Sequence, residues 1–239
     1  MPDTALAILV LVCVLAYSFE IVFGLAGTLL MLMVLSLWFD AKVLVIYSVL
    51  PQILVASIGL ARSPRTVNPR FLLGMLAYAG LGALVGLYLF YQFPPHVFQL
   101  LLASVITLSG AYLVMASGRL RLTPAGTRVL DFTAGISQAL FGISGPIAMT
   151  RLLASFDDKT VVRNYALAFF LALNLLRAAG YLGNGTFTAQ IGYMMLVSAP
   201  FLVVALWFSN HLHFRVNERL FRRVVAWIIL LGGITLFFR

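Results

Sequence analysis

The sequence predicts an all-α integral membrane protein made of two inverted repeats, each a broken or re-entrant helical hairpin followed by three transmembrane helices. Three observations carry that expectation. The 239 residues are 62% apolar and only 10% charged, whereas soluble domains run at about 45–50% and about 25%. The apolar residues fall in blocks of about 20, the length a helix needs to cross roughly 30 Å of hydrocarbon. Two glycine-rich interruptions recur at one spacing, and basic residues gather in short loops between the blocks. This composition excludes a water-soluble globule, a disordered chain and a disulfide-stapled scaffold, and it leaves no chain for an extra soluble domain.

The apolar stretches run over residues 4–39, 42–61, 70–92, 96–116, 129–156, 161–183, 187–209 and 219–238. The N-terminal Met-Pro-Asp-Thr lacks the basic n-region of a cleaved signal peptide, so residues 4–22 are expected in the mature fold. The first and fifth stretches contain Phe23-Gly24-Leu25-Ala26-Gly27 and Phe141-Gly142-Ile143-Ser144-Gly145-Pro146. Glycine costs about 1 kcal/mol in a helix interior, and two within four residues mark an interruption. Proline suits the first turn of a helix, so a new helix is expected near Pro146 with Ser144 or Gly145 as its cap.

The two interruptions match in register. Phe23 and Phe141, Gly24 and Gly142, Gly27 and Gly145, and Asp40 and Asp158 are each 118 positions apart. Near the ends of the halves, Phe98 resembles Phe221 and Gly110 resembles Gly233, both at a spacing of 123. The chain therefore divides into a first repeat over 1–116, a cytoplasmic linker over 117–128 and a second repeat over 129–239. Basic clusters at Arg62, Arg65 and Arg70, at Arg119, Arg121 and Arg128, and at Arg215, Arg219, Arg222 and Arg223 belong in the cytoplasm by the positive-inside rule. Stretch 129–156 must then leave and return on one side. Its arms, 129–141 and 146–156, would be only about 16–20 Å long, with the tip near the midplane. The same reasoning places both termini outside and inverts one half against the other.

Interrupted helices meeting at mid-membrane are a transporter architecture. Irregular backbone at that depth is tolerated only within protein or along a watery cavity. Each break exposes backbone N–H groups and the positive end of a helix dipole, a setting for an anion. Gly24, Gly27, Gly142 and Gly145 let the backbone approach closely, and Thr28 and Ser144 add hydroxyls. Arg177 lies about 8 Å from the centre of its stretch, with Asn174 on the same helix face; its planar fork suits sulfonate oxygens. Gln52 stands beside Pro51 as a pathway-lining candidate, Gln138 is a further donor, and Glu20 is a candidate coupling group. Other readings of these residues stay open. The glycines could serve helix packing, Arg177 could snorkel to the outer surface, Gln52 could bond a neighbouring helix, and Glu20 could cap the tip or pair with Arg177.

On the two breaks, the repeated layout and the basic stretch near 119–128, the whole chain resembles the TauE/SafE (TSUP) family of membrane sulfite and organosulfonate exporters. The resemblance implies a secondary transporter carrying sulfite or an organosulfonate such as sulfoacetate across the bacterial inner membrane by alternating access. Thr28 stands where the family's first motif often has another glycine, which leaves room for an unrelated small anion.

Other chemistries find little support. The single Cys13 lies in the first apolar block and reads as packing. His96, His211 and His213 lack an acidic cluster, so no metal is expected, and without a phosphate loop neither ATP nor another cofactor is implied. The surplus of 16 basic over 7 acidic residues orients the protein rather than binding nucleic acid. An enzyme is not expected, since no buried nucleophile or acid–base set is found. A non-transporting scaffold or assembly subunit is the remaining alternative. The expected partners are a small anion and the lipid bilayer, and outward aromatics allow a homodimer.

Overall fold

The computed structural model describes residues 3–23, 26–61, 67–115, 122–209 and 218–238. The first half contributes α1 (Asp3–Phe23), α2 (Gly27–Leu35), α3 (Ala41–Tyr47), α4 (Val49–Ala61), α5 (Pro69–Gln92) and α6 (Pro95–Met115). The second contributes α7 (Pro124–Phe141), α8 (Gly145–Leu153), α9 (Lys159–Gly183), α10 (Ala189–Ser209) and α11 (Glu218–Leu236). Among the described residues there are helices and connections and no strand. Six spans, Thr4–Ile21, Ala41–Ala61, Pro69–Gln92, Pro95–Met115, Thr160–Gly183 and Ala189–Ser209, are long and apolar enough to cross a bilayer. The chain is a multi-pass membrane protein.

Matching caps start matching helices. Asp40 Oδ1 accepts from the backbone N–H groups of Lys42 and Val43 at 2.8 and 3.2 Å. Asp158 Oδ1 does the same for Thr160 and Val161 at 2.7 and 3.3 Å. Each such cap is worth about 1 kcal/mol. The short arms α2 and α8 are both nine residues long, so the spacing of 118 carries through to the start of α9. Packing also repeats when the halves are exchanged: α5 lies on α7 as α10 lies on α1, and α11 touches α2 as α6 touches α8, while α4 meets α9 and α6 meets α11. The halves are therefore interlocked rather than side by side.

Two elements differ from the sequence-based expectation. The first arm of the second hairpin begins at Pro124, not at 129, because Thr123 Oγ1 caps the Gly126 N–H at 3.1 Å and Pro124 supplies a favourable first turn. The resulting arm has 18 residues, about 27 Å, longer than half a membrane. In the first hairpin α1 is 21 residues long, so each hairpin pairs one long arm with one short arm. Stretch 42–61 is divided at Ser48. Pro51 has no N–H to give the Tyr47 carbonyl, which interrupts the ladder there.

The interior is apolar with a polar layer inside it, and the outer surface is apolar as well. Large apolar side chains such as Leu15, Leu84, Tyr88, Leu196, Phe201 and Phe208 are exposed, as a lipid-facing surface requires, while Thr28, Gln52, Gln138, Ser144, Asn174 and Arg177 are buried. Glycines let the long helices touch backbone to backbone. A side chain on Gly82 would run into the Phe132 carbonyl, and one on Gly135 into the Ala79 carbonyl. Gly110 lies against the backbone of Leu230, and Gly233 against that of Thr107, so the pair matched in sequence meets across one helix crossing. Small residues permit this close approach in membranes.

Candidate functional site

The two breaks meet at one cavity. The first is turned by Ala26, a non-glycine residue at φ 79°, just before α2. The second is turned by Gly142 at φ 72°, where glycine carries no steric penalty. Gly142 also closes α7, its N–H donating to the Gln138 carbonyl at 2.8 Å, an ordinary left-handed helix end. Ser144 precedes α8, but its side chain does not cap that helix; the hydroxyl is turned to Gln138 instead.

The cavity measures about 30 Å³ and is lined by Glu20, Ala26, Thr28, Leu29, Gln52, Gln138, Gly142, Ile143, Ser144, Gly145, Pro146 and Phe170. That volume takes about one or two water molecules. Its polar wall is a continuous hydrogen-bonded chain. Glu20 Oε2 accepts the Thr28 N–H at 3.1 Å. Gln52 Nε2 donates to Thr28 Oγ1 at 2.6 Å and to the Gly142 carbonyl at 2.8 Å, tying the first break to the second. Gln138 Nε2 donates to Gln52 Oε1 at 2.7 Å and to Asn174 Oδ1 at 3.1 Å, while Ser144 Oγ donates to Gln138 Oε1 at 2.7 Å. Thr28 Oγ1 contacts Tyr17 OH at 3.4 Å.

Arg177 ends this chain. It is fully buried. Nη1 donates to Asn174 Oδ1 at 2.8 Å and Nη2 to the Val45 carbonyl at 2.9 Å, near the C-terminal end of α3. Its guanidinium lies 5.7 Å from the Tyr181 ring centre. Among the described residues no carboxylate stands within ion-pair distance of it; the pair seen there joins Arg151 to Asp131. A side chain on Gly142 would come within 3.1 Å of Nη1, so the glycine lets the second break lie directly on the arginine. Arg177 Nε and Asn174 Nδ2 are buried donors without a partner among the described residues, and an unmade bond of this kind costs about 1–3 kcal/mol.

The structure thus gathers Glu20, Thr28, Gln52, Gly142, Ser144 and Gly145 around one cavity. Gly27 lies beneath the Glu20 side chain, and a Cβ there would also sit 2.7 Å from the Ala16 carbonyl. Asn174 and Arg177 form a layer behind Gly142 rather than part of the lining. Gly24 and the clusters at Arg62 and Arg65, Arg119 and Arg121, and Arg215 lie outside the described residues, as do His211 and His213. Sequence reasoning undervalued Gln138, which bonds to Gln52, Asn174 and Ser144, and it missed Phe170. The spacing of 118 was the available signal: carried from Glu20 it lands on Gln138, and carried from Gln52 it lands on Phe170. Among the described residues no group of His, Cys, Asp and Glu is placed to hold a metal ion.

No curated protein and no solved structure matches the chain. A protein family does: Sulfite exporter TauE/SafE, over residues 9–236. The match covers both hairpins and the helices that follow them, so the chain belongs to the TauE/SafE sulfite exporter family.

Proposed function

We propose that the protein is a secondary transporter that moves a small anion, sulfite or an organosulfonate such as sulfoacetate, across the bacterial inner membrane by alternating access. The supporting observation is the meeting of two sequence-related helix breaks at one cavity walled by amides, hydroxyls and backbone. In this reading the anion's charged head lies between the breaks. It receives N–H groups from the first turns of α2 and α8, and the Thr28 and Ser144 hydroxyls and the Gln52 amide turn to it from the partners they bond here. Arg177 and Asn174 supply positive charge and the unpartnered donors behind Gly142. One buried arginine offsets an incoming anion without trapping it, since the remaining groups are neutral or, at Glu20, titratable.

The halves are read as inverted in the membrane, with both termini outside and the segments 62–70, 117–128, 157–163 and 210–218, helix starts included, on the cytoplasmic side. Rocking one hairpin and its attached helices against the other would open the cavity to each side in turn. Counter-flow of labelled sulfoacetate and sulfite in proteoliposomes tests the function. Exchange that saturates and is blocked by unlabelled sulfonate is expected, and absence of exchange for both anions would refute it. Cysteine labelling on a Cys13-free background tests the orientation; strong external labelling at positions 121 and 217 would refute the inverted arrangement.

A further inference from the structure

We infer that the carboxylate of Glu20 is an internal stand-in for the transported anion, so that the anion binds only as Glu20 takes up a proton. This rests on the reading that an anion binds between the breaks. Glu20 projects from the last turn of α1 into the cavity wall. Its Oε2 accepts the Thr28 N–H at 3.1 Å, a donor in the first turn of α2 of the kind an external anion would need. The backbone is shaped around it, since any side chain on Gly27 would run into Glu20. The two anions would compete for the same donor, with their like charges side by side.

The charged and titratable groups around Glu20 agree with this. Its own helix brings Tyr17, whose hydroxyl meets Thr28. Neither α2, through Thr28, nor α4, through Gln52, brings a charge, and α10 carries no acidic or basic residue. The nearby cations come from α9. Arg163 Nη2 donates to the Ile21 carbonyl at 3.1 Å, and Arg177 lies at the far end of the hydrogen-bonded chain. Among the described residues no second carboxylate lines the cavity. The matching position in the other half is Gln138, which cannot ionise. An ionised Glu20 beside a bound sulfonate would place two like charges a few ångströms apart, away from bulk water, where repulsion is strong. A proton on Glu20 removes that repulsion and weakens its hold on the Thr28 N–H. By linkage, the anion then raises proton affinity by the factor through which the proton raises anion affinity.

The test uses the purified full-length protein in nanodiscs and methanesulfonate, which stays ionised over the pH range used, unlike sulfite. Binding is measured calorimetrically in two buffers of different ionisation enthalpy, across about pH 5–8. Affinity should rise as pH falls, with about one proton taken up per anion at the alkaline end. Glu20→Gln should bind about a hundredfold more tightly there and take up no proton. Equal affinity and equal proton uptake in the variant would overturn the competition while leaving the anion site standing, as would wild-type binding without proton uptake. No binding of methanesulfonate, sulfite or chloride to either protein would overturn the anion site and this inference together. If Glu20→Gln does not fold, the wild-type proton count decides.

Discussion

The two helix breaks stand at matching places in the sequence and divide their chemistry unequally. In the first, a carboxylate from the preceding arm occupies an N–H of the short helix, Glu20 to Thr28. In the second, the corresponding arm residue is the neutral Gln138, which accepts from Ser144, and the position matching Thr28 is Pro146, which has no N–H. Behind the first break, a Cβ on Gly27 would meet Glu20 and the Ala16 carbonyl; behind the second, one on Gly142 would meet Ser48 and Arg177. Ala26 holds a left-handed turn at a cost of about 1–2 kcal/mol, whereas its counterpart Ser144 lies at φ −133° and the second break turns at Gly142 instead. The first break thus sets a carboxylate on the cavity, the second is backed by an arginine from α9, and Gln52 is bonded to both breaks. Matching positions need not do similar work, and Glu20, Thr28 and Gln52, which differ from their counterparts Gln138, Pro146 and Phe170, give the cavity much of its polarity.

The largest effect is expected from removing the difference. Gln138→Glu puts a second carboxylate on the cavity, deprives Gln52 Oε1 of its donor and leaves Asn174 Oδ1 with Arg177 Nη1 alone. Like charges near 4 Å cost about 4 kcal/mol at an effective dielectric constant of 20. Methanesulfonate affinity near neutral pH should fall by about a hundredfold or more. Adding Glu20→Gln, which moves the single carboxylate to the other break, should recover most of it in the same titration.

The cationic half is probed by Arg177→Lys. Lysine keeps the charge but cannot bond Asn174 Oδ1 and the Val45 carbonyl with one planar fork. Sulfonate transport in proteoliposomes should drop by about tenfold or more, while the thermal midpoint without ligand changes little. Normal transport by the variant would make Arg177 a packing residue.

A smaller change follows at Ser144→Ala, which strips Gln138 Oε1 of its 2.7 Å donor and removes a hydroxyl from the cavity. Binding should weaken by about 1.5–3 kcal/mol, the scale of one hydrogen bond to a charged group, without a change in proton uptake. A loss as large as that of Gln138→Glu would mean that Ser144 positions the whole amide chain.

Much of this arrangement could be read from the sequence, for physical reasons. Long apolar blocks have few alternatives to membrane helices, and Gly24, Gly27, Gly142 and Gly145 mark the breaks because glycine is poor in helix interiors. Asp40 and Asp158 kept the spacing of 118, and each caps the helix that follows it. The start of α7 was less legible: hydropathy starts the segment at 129, past the Thr, Gly and Arg of residues 124–128, whereas the cap at Thr123 starts the helix at Pro124. Arg177 and Asn174 could be placed on one face by their spacing. That the face meets Val45 and the underside of Gly142 depends on how α3 and α7 pack, which periodicity does not encode. Gln138 was overlooked as the hub because its partners are 86 and 36 positions away.

The central claim is that an anion lies between the two breaks, with the backbone of the second exposed to it. Gly145→Val tests it most directly, since Gly145 lines the cavity at the start of α8 and a branched side chain there crowds the approach. The measurement is the thermal stabilisation of purified protein by methanesulfonate, sulfite and chloride. The account predicts a folded Gly145→Val protein with an ordinary melting transition and no stabilisation by any anion that stabilises the wild type. Undiminished stabilisation in that folded variant would contradict it, placing the anion elsewhere and returning the glycines to helix packing.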